Sequence, residues 1–564
     1  MFGASPSTTA ILSIIRAVTR SRPSSPSRGQ AAALAFALSL ATVLLPPVEA
    51  RADERAALAS TQPTVPAASE PADAANADAR ASPAPAPDEE AEELAALLSP
   101  SDRGLRDDLA WLVDRRVLSL PLSTWPMPAE LVRARLREAR RQDWPAADAD
   151  ALERVEGALQ RALAPRRAGL LVDTARHPSL DGESAARGAA RGYMALQTHR
   201  DGWSARLQLD ALADSLSDPG QEGSLAGSYA ALALPGTVLA AGMVDRWWGP
   251  GRGASPLLSN SAEPFPAVLW RGAEDEAPST SWLRWIGPWG WELSAGQLLD
   301  YTPSRTRTIG MRAYARPLHG LEIGLSRHIL WAGEGRPSGW GALSDALLAR
   351  SNVERDGDRE DPSDELAGVD VRLSHLDAAG RAWIAHAMLI GEDEAGKTPS
   401  RRLATAGLQL KLPWHDGRLE WSAEATDTRL GRLFGLGDDL DRAAYRHSVY
   451  VDGYYHRGLP LGAAIGGGGH LLVLGLDWQP PCASECVRYG GSVFTGSASE
   501  PEAQTINGAF GDRGSVEGMT LRRVSTSRTL GLDWNVGVSL QRYRAGPRPD
   551  LGVQAGFEMP IGDR

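Results

Sequence analysis

Cysteine is scarce in this sequence, since Cys482 and Cys486 are its only two among 564 residues. A structural zinc site usually draws on four ligands, and no second pair of cysteines or histidines stands beside this one. The short spacing instead favours a small loop disulfide, formed in an oxidising compartment. A metal site is the alternative interpretation.

Positive charge is also in deficit, with a formal net charge of -11 and a pI of about 5.5. Nucleic-acid binding requires a concentrated basic surface, so we expect no nucleic-acid partner. Phenylalanine (7) is rarer than tryptophan (18) and tyrosine (10). This bias is typical of rings at a membrane interface, and carbohydrate-binding surfaces also favour it.

Only one long apolar run is present, at 31–45. Arginines precede the run, and prolines followed by small residues lead to Ala50, which predicts a signal peptide over 1–50. A membrane anchor is the alternative, although the run is short for a spanning helix of roughly 20 residues. If the mature chain lies in a membrane it must then be a closed barrel, because lipid offers no partner to open backbone groups.

Aromatic and β-branched residues are almost absent from the Ala/Pro-rich stretch 51–98, which predicts a disordered spacer. From Ser101 the apolar period becomes helical, with Leu105, Leu109 and Leu112 on one face and two further amphipathic stretches before Pro165. Three short helices cannot each bury a face alone. We therefore expect a small helical bundle over 101–165, packed on itself or against the end of the next domain.

From 169 to 564 the apolar period changes to two, which indicates strands with one apolar and one polar face. Trp291 and Leu293, for example, alternate with Glu292 and Ser294. The segment 530–541 has about the length that a tilted transmembrane strand needs, and 551–559 is expected to close the sheet onto the first strand.

The size of this region sets the expected number of strands. About 395 residues, at roughly 20 to 25 for each strand with its turn, give about 16 to 20 strands. We predict an all-β transmembrane barrel of about 18 antiparallel strands. A soluble sandwich or propeller also alternates and is the alternative fold.

Catalytic motifs are lacking: the histidines are scattered, and neither a nucleophile elbow nor an HExxH motif occurs. The Glu392-Asp393-Glu394 run suggests a glycosidase or a calcium site, but adjacent carboxylates do not supply the cross-cleft spacing of hydrolysis. We expect a solvated loop there, and neither catalysis nor a cofactor. An outer-membrane channel and a secreted polysaccharide-modifying enzyme stay open as alternatives.

The densest motif is DRWWGPG at 245–251, followed by LLSNS at 257–261 and EPFP at 263–266. Further segments follow in order: GLSR at 324–327, AGVD at 367–370, GEDEA at 391–395, GY at 453–454 and PLG at 460–462. With STWP at 123–126, they resemble the capsule assembly protein Wzi family from about Ser101 to the C-terminus. Ser261 departs from the pattern, since a second asparagine is expected there.

This resemblance implies an eighteen-stranded barrel in the lipid of the outer membrane, with a periplasmic helical bundle. It also implies a lectin that binds capsular polysaccharide or a related exopolysaccharide, and helps its attachment and assembly at the cell surface.

Five residues are candidates for glycan contact. Arg246, Trp247 and Trp248 combine charge-assisted hydrogen bonding with ring stacking. Their structural alternative is a membrane-interface anchor beside a turn, with Arg246 held by Asp245. Arg327 and Arg457 lie beside strands with inward polar residues, where the alternative role is to balance charge inside a barrel.

Overall fold

The computed structural model of the protein describes residues 95–177, 180–182, 188–215, 221–274, 276–347, 363–395, 398–434, 436–440, 444–498, 514–527, 531–543 and 549–561. The expected signal peptide and nearly all of the expected spacer lie outside the described residues.

Eighteen antiparallel strands close into one barrel, as the alternating sequence predicts. The last strand pairs with the first, placing Glu558 opposite Gly169, so the wall has no free edge. In chain order the strands are β1 Arg166–Asp173, β2 Gly188–Arg200, β3 Trp203–Ser215, β4 Tyr229–Leu234, β5 Thr237–Gly242, β6 Ala267–Glu274, β7 Trp289–Gln297, β8 Arg307–Leu318, β9 Leu321–Trp331, β10 Ser363–Leu376, β11 Ala382–Ala395, β12 Thr398–Trp414, β13 Gly417–Asp427, β14 His470–Gln479, β15 Glu485–Ala498, β16 Gly514–Ser527, β17 Asp533–Tyr543 and β18 Asp550–Pro560.

The wall has an apolar outer face and a polar inner face. In β10, Val369, Val371 and Leu373 are exposed on the outside, whereas Asp370 and Arg372 are buried in the lumen. In water such an apolar surface would be unfavourable, but in lipid it is the stable arrangement of a transmembrane barrel. The period of two in the sequence therefore reports the two sides of the wall.

The two ends of the barrel differ in their connections. Four connections at one end contain two residues each: those joining β2 to β3, β4 to β5, β8 to β9 and β12 to β13. We call this the short-turn end. At the opposite, long-loop end, residues 243–266 join β5 to β6 and residues 428–469 join β13 to β14. Short periplasmic turns and longer extracellular loops are typical of outer-membrane barrels.

An aromatic belt surrounds the outer wall near the short-turn end. Its exposed members lie at or near the strand termini there: Trp203, Trp270, Trp383, Trp414, Trp478 and Tyr489. Rings with an apolar body and a polar tip are favoured where hydrocarbon meets headgroups. The aromatic belt thus marks one membrane interface.

In the described residues, three helices precede the barrel: α1 Arg103–Asp114, α2 Ala129–Ala139 and α3 Ala146–Ala162. The side chain of Asp102 caps α1 by accepting from the Leu105 amide at 2.9 Å. Leu109, Trp111 and Val155 are buried in a core that the helices share. Among the described residues, no helix is both long and apolar enough to cross a membrane.

The part of the chain that the structure describes has two further short helices, both outside the lumen. The 3-10 helix Ser281–Ile286 lies in the connection between β6 and β7, at the short-turn end. Helix α4 Trp340–Leu347 follows β9 at the long-loop end, where it packs against Ile329 and Trp331 on the outside of the wall.

The lumen is filled from both ends. From the long-loop end, residues 243–266 and 444–469 fold inward and bury a hydrophobic cluster that includes Trp248, Phe265 and Tyr454. From the other end, the segment Thr124–Trp125 enters and pairs antiparallel with Trp247–Trp248. The fillings from the two ends therefore meet inside the barrel.

Candidate functional site

The paired tryptophans of the densest motif are packed inside the lumen. The Trp247 indole nitrogen donates to the Gly249 carbonyl at 3.1 Å, and that of Trp248 donates to Glu292 Oε1 at 3.1 Å. The guanidinium of Arg106 lies 4.2 Å from the centre of the Trp247 ring. Both rings are buried, so the structure places them neither at the membrane interface nor at the long-loop mouth.

Arg246 is buried beside these rings. Its guanidinium lies 4.3 Å from the centre of the Phe265 ring and donates to Ser294 Oγ at 3.3 Å. The neighbouring Asp245 accepts from Ser101 Oγ at 2.8 Å, at the entry to α1. The structure thus brings Arg246, Trp247 and Trp248 together, but in the packed interior where the two fillings meet.

Arg327 lies apart from these residues, on the outer side of β9. Its guanidinium donates to the carbonyls of Ala346 and Leu347 at 2.7 Å each, and it pairs with Glu365. A cation at the carbonyl end of a helix is favourable, because the last carbonyls lack partners within the helix. Arg327 therefore fixes the end of α4 against the wall.

Arg457 lies at the long-loop mouth, next to the small hairpin strand Tyr455–His456. It donates to Glu263 Oε2 at 2.9 Å and to Asp300 Oδ2 at 2.9 Å. Glu263 also accepts from Gln221 Nε2 at 2.9 Å, so four separate connections meet here. We call Gln221, Glu263, Asp300 and Arg457 the mouth cluster. It offers both carboxylate and guanidinium groups at the boundary between solvent and the packed lumen.

His456 connects the mouth cluster to the loops below it. Its Nδ1 lies 2.8 Å from the Glu263 carbonyl, and its Nε2 accepts from the Leu299 amide at 3.3 Å. An imidazole that accepts at Nε2 is neutral, so Nδ1 carries the proton and donates. Burial lowers the pKa of His456 to about 4, although the hydrogen bond to Glu263 opposes the effect.

We expect the mouth to loosen in mild acid. The folded-state pKa of His456 lies below its ordinary value of 6.5, so the folded loop is fully stable above that value and loses stability as the pH falls toward 4. Protonation removes the acceptor for Leu299. Amide hydrogen exchange of residues 454–461 will show protection falling on the order of tenfold or more across this range. The His456→Gln variant keeps a donor and an acceptor without titrating, so pH-dependent loss in that variant as well would refute the assignment.

A network of carboxylates on α1 attaches the helices to the barrel. Asp114 lies 2.7 Å from Arg372 and 2.9 Å from Lys411, two cations on the inner wall. Burial raises the pKa of Asp114, but attraction to both cations outweighs burial and lowers the pKa to about 2. Asp108 pairs with Arg418 at 2.6 Å in the same way. These contacts hold α1 at the short-turn end of the lumen.

None of the residues in this network is among the five candidates from the sequence. The available signal is that Asp107, Asp108 and Asp114 occur within a helix whose neighbouring residues are apolar. A buried carboxylate requires a partner. Their partners on the barrel wall, Arg372, Lys411 and Arg418, lie more than 250 positions away in the chain, so the sequence pattern alone does not identify them.

Two other sequence features have definite places. Cys482, in the connection between β14 and β15, is joined by a disulfide to Cys486, near the start of β15. The expectation of a solvated loop at Glu392-Asp393-Glu394 is wrong, because β11 continues to Ala395 and Glu392 is buried. Glu392 lies near the long-loop rim, opposite Leu366 of β10, and its side chain is still buried on the inner face of the wall. In the described part of the chain, no group of three or more acidic, His or Cys residues is arranged to hold a metal ion.

Comparisons with known proteins agree with this architecture. The profile of the family capsule assembly protein Wzi matches residues 179–479. A protein described as an uncharacterized 55.8 kDa protein of the cps region of Klebsiella pneumoniae is 30% identical over 473 residues, covering 84% of this chain and 91% of that relative. The solved structure of Escherichia coli Wzi is similar, with a TM-score of 0.72 and 29% identity over 83% of this chain and 100% of that one. That protein is described as an outer-membrane, carbohydrate-binding β-barrel involved in group 1 capsule assembly.

Proposed function

Because this chain belongs to the capsule assembly protein Wzi family, we propose that it is an outer-membrane barrel that binds capsular polysaccharide at the cell surface and takes part in capsule assembly. The short-turn end then faces the periplasm and the long-loop end faces outward. The expected partners are a capsular or related exopolysaccharide and the lipid around the wall.

The filled lumen is the observation that carries this proposal. Thr124–Trp125 pairs with Trp247–Trp248 in the interior, and α1 is attached to the inner wall through Asp114. Cavities between the filling and the wall among the described residues include two of about 20 and 40 Å³, the second beside α1. These cavities hold at most a few water molecules. A glycan chain therefore has the outer mouth as its accessible surface.

The mouth cluster is the part of this surface that we assign to glycan contact. Of the five candidates from the sequence, Arg457 is the one that lies there, in contact with Glu263 and Asp300. Carboxylate and guanidinium groups bind sugar hydroxyls and sugar carboxylates through charge-assisted hydrogen bonds. We assign to Arg246, Trp247 and Trp248 the support of the loop that carries Glu263, and to Arg327 the support of α4.

Deletion of the gene tests this function. We expect cell-associated polysaccharide to fall and polysaccharide released to the medium to rise, with total synthesis unchanged, because the surface attachment is lost. A plasmid copy of the gene should restore attachment. Unchanged cell-associated polysaccharide would contradict the proposal. The proposal also excludes catalysis, so cleavage of the polysaccharide by the purified protein would contradict it equally.

A further inference from the structure

The connection between β6 and β7 differs from the others at the short-turn end. It spans residues 275–288, whereas the other connections at that end contain two to five residues. Its described part contains the 3-10 helix Ser281–Ile286, in which no side chain is buried. The connection is therefore longer than is needed to join two neighbouring strands.

Two large apolar side chains of this helix are almost fully exposed. Trp282 is 71% and Trp285 is 68% exposed. Residues three apart in a 3-10 helix eclipse one another, so both indoles project from the same side. Two tryptophans in water on one side of a short helix are unfavourable unless a partner covers them.

The connection is held in place rather than projecting freely. The Arg316 amide on β8 donates to the Pro288 carbonyl at 2.8 Å. Gly287 adopts a positive φ of 66°, and a Cβ there would lie 2.1 Å from the Arg316 carbonyl. This close approach requires glycine. The 3-10 helix is thus fixed against the end of β8.

The surroundings identify the partner as lipid. The neighbouring outer wall carries Trp270 and Trp291, whose rings make an edge-to-face contact with centres 4.9 Å apart, and Leu318 at the end of β8 is also exposed. Trp282 and Trp285 therefore continue the aromatic belt. The exposed Arg284 lies between them in sequence, suited to a lipid phosphate.

We propose that the Ser281–Ile286 helix is a lipid anchor, which inserts Trp282 and Trp285 into the headgroup region of the periplasmic leaflet. It extends the lipid-facing wall on the side of β6 to β8. The anchor fixes the depth of the barrel in the bilayer on this side. It lies close to the helices that precede the barrel, because the Arg316 guanidinium donates to Ser119, between α1 and α2, at 3.0 Å. This inference depends on the membrane location and is independent of polysaccharide binding.

Differential fluorescence quenching tests the anchor. The full-length protein is reconstituted in phosphatidylethanolamine–phosphatidylglycerol vesicles, and the spectrum of a Trp282→Phe/Trp285→Phe variant is subtracted from that of the wild type. The difference spectrum reports the two indoles alone. One measurement uses phospholipid brominated near the carbonyl end of its acyl chains, and the other uses iodide on both sides of the bilayer.

We expect brominated lipid to remove most of the difference emission and iodide to remove little. Stronger quenching by iodide than by brominated lipid would place the indoles in the periplasm and overturn the proposal. Phenylalanine keeps an apolar ring at an exposed position, so the variant is expected to fold, as checked by its gel shift on heating. A Trp340→Phe variant, altered at the opposite end of the barrel, supplies the matched difference spectrum for a tryptophan outside the periplasmic leaflet.

Discussion

Replacing Asp114 with asparagine will release the helical bundle from the barrel. The substitution removes the carboxylate that lies 2.7 Å from Arg372 and 2.9 Å from Lys411, and leaves two buried cations without it. Breaking a buried ion pair from one side costs roughly 3–5 kcal/mol, because the remaining charge stays desolvated. Limited proteolysis in detergent measures the release, as faster cleavage between α1 and α2 while the barrel fragment stays intact.

The matched control for this prediction is Glu138→Gln on the exposed side of α2. Glu138 pairs with Arg135 at 2.8 Å, but the carboxylate is mostly in solvent, where an ion pair contributes only about 0–1 kcal/mol. We expect wild-type cleavage rates for this variant. Equal cleavage rates for wild type, Asp114→Asn and Glu138→Gln would show that α1 is not attached through its carboxylates.

Replacing Trp248 with alanine is the second large perturbation, and it acts from the other side of the lumen. Trp248 is 0% exposed, packs in the cluster with Phe265 and Tyr454, and donates to Glu292 at 3.1 Å. Removing a buried aromatic ring costs about 3–5 kcal/mol, and Glu292 additionally loses its indole donor. We expect accelerated amide exchange throughout residues 243–266, with exchange in the wall strands little changed.

Trp340→Ala provides the comparison, since Trp340 is 86% exposed on α4. Truncation there leaves no cavity, so exchange in 243–266 should equal that of the wild type. If Trp248→Ala also leaves this exchange unchanged, the loop does not depend on the interior pairing, and the filled lumen loses its main support.

The wall was predictable because its signal is local. Successive side chains of a strand point to opposite faces, so the sequence of a segment such as 289–297 or 551–559 is enough to predict which of its side chains face lipid. Closure of the sheet was expected from the predicted signal peptide and from the lack of a second long apolar run in the sequence. The extent of β11 was not predictable, because Glu392 has the polarity of a loop residue and is buried only by its position in the barrel.

The filling of the lumen could not be predicted from local sequence patterns. Trp125 pairs with Trp247, which lies more than 100 residues away in the chain. The sequence pattern of neither segment predicts that it pairs with the other. Trp247 and Trp248 have the composition of interface or sugar-binding rings, and only the path of the loop carries them inside. Likewise Arg327 and Arg457 have similar sequence surroundings, yet one faces the outside of the wall and the other lies at the mouth.

The most direct test of the central claim is a binding isotherm of the purified, detergent-solubilised protein with polysaccharide extracted from the surface of its own cells. We predict saturable binding by the wild type, weaker binding by Arg457→Ala at the mouth, and unchanged binding by Arg316→Ala at the opposite end. No binding by the heat-modifiable wild-type barrel above that of empty micelles would contradict the claim that its outer mouth holds the polysaccharide.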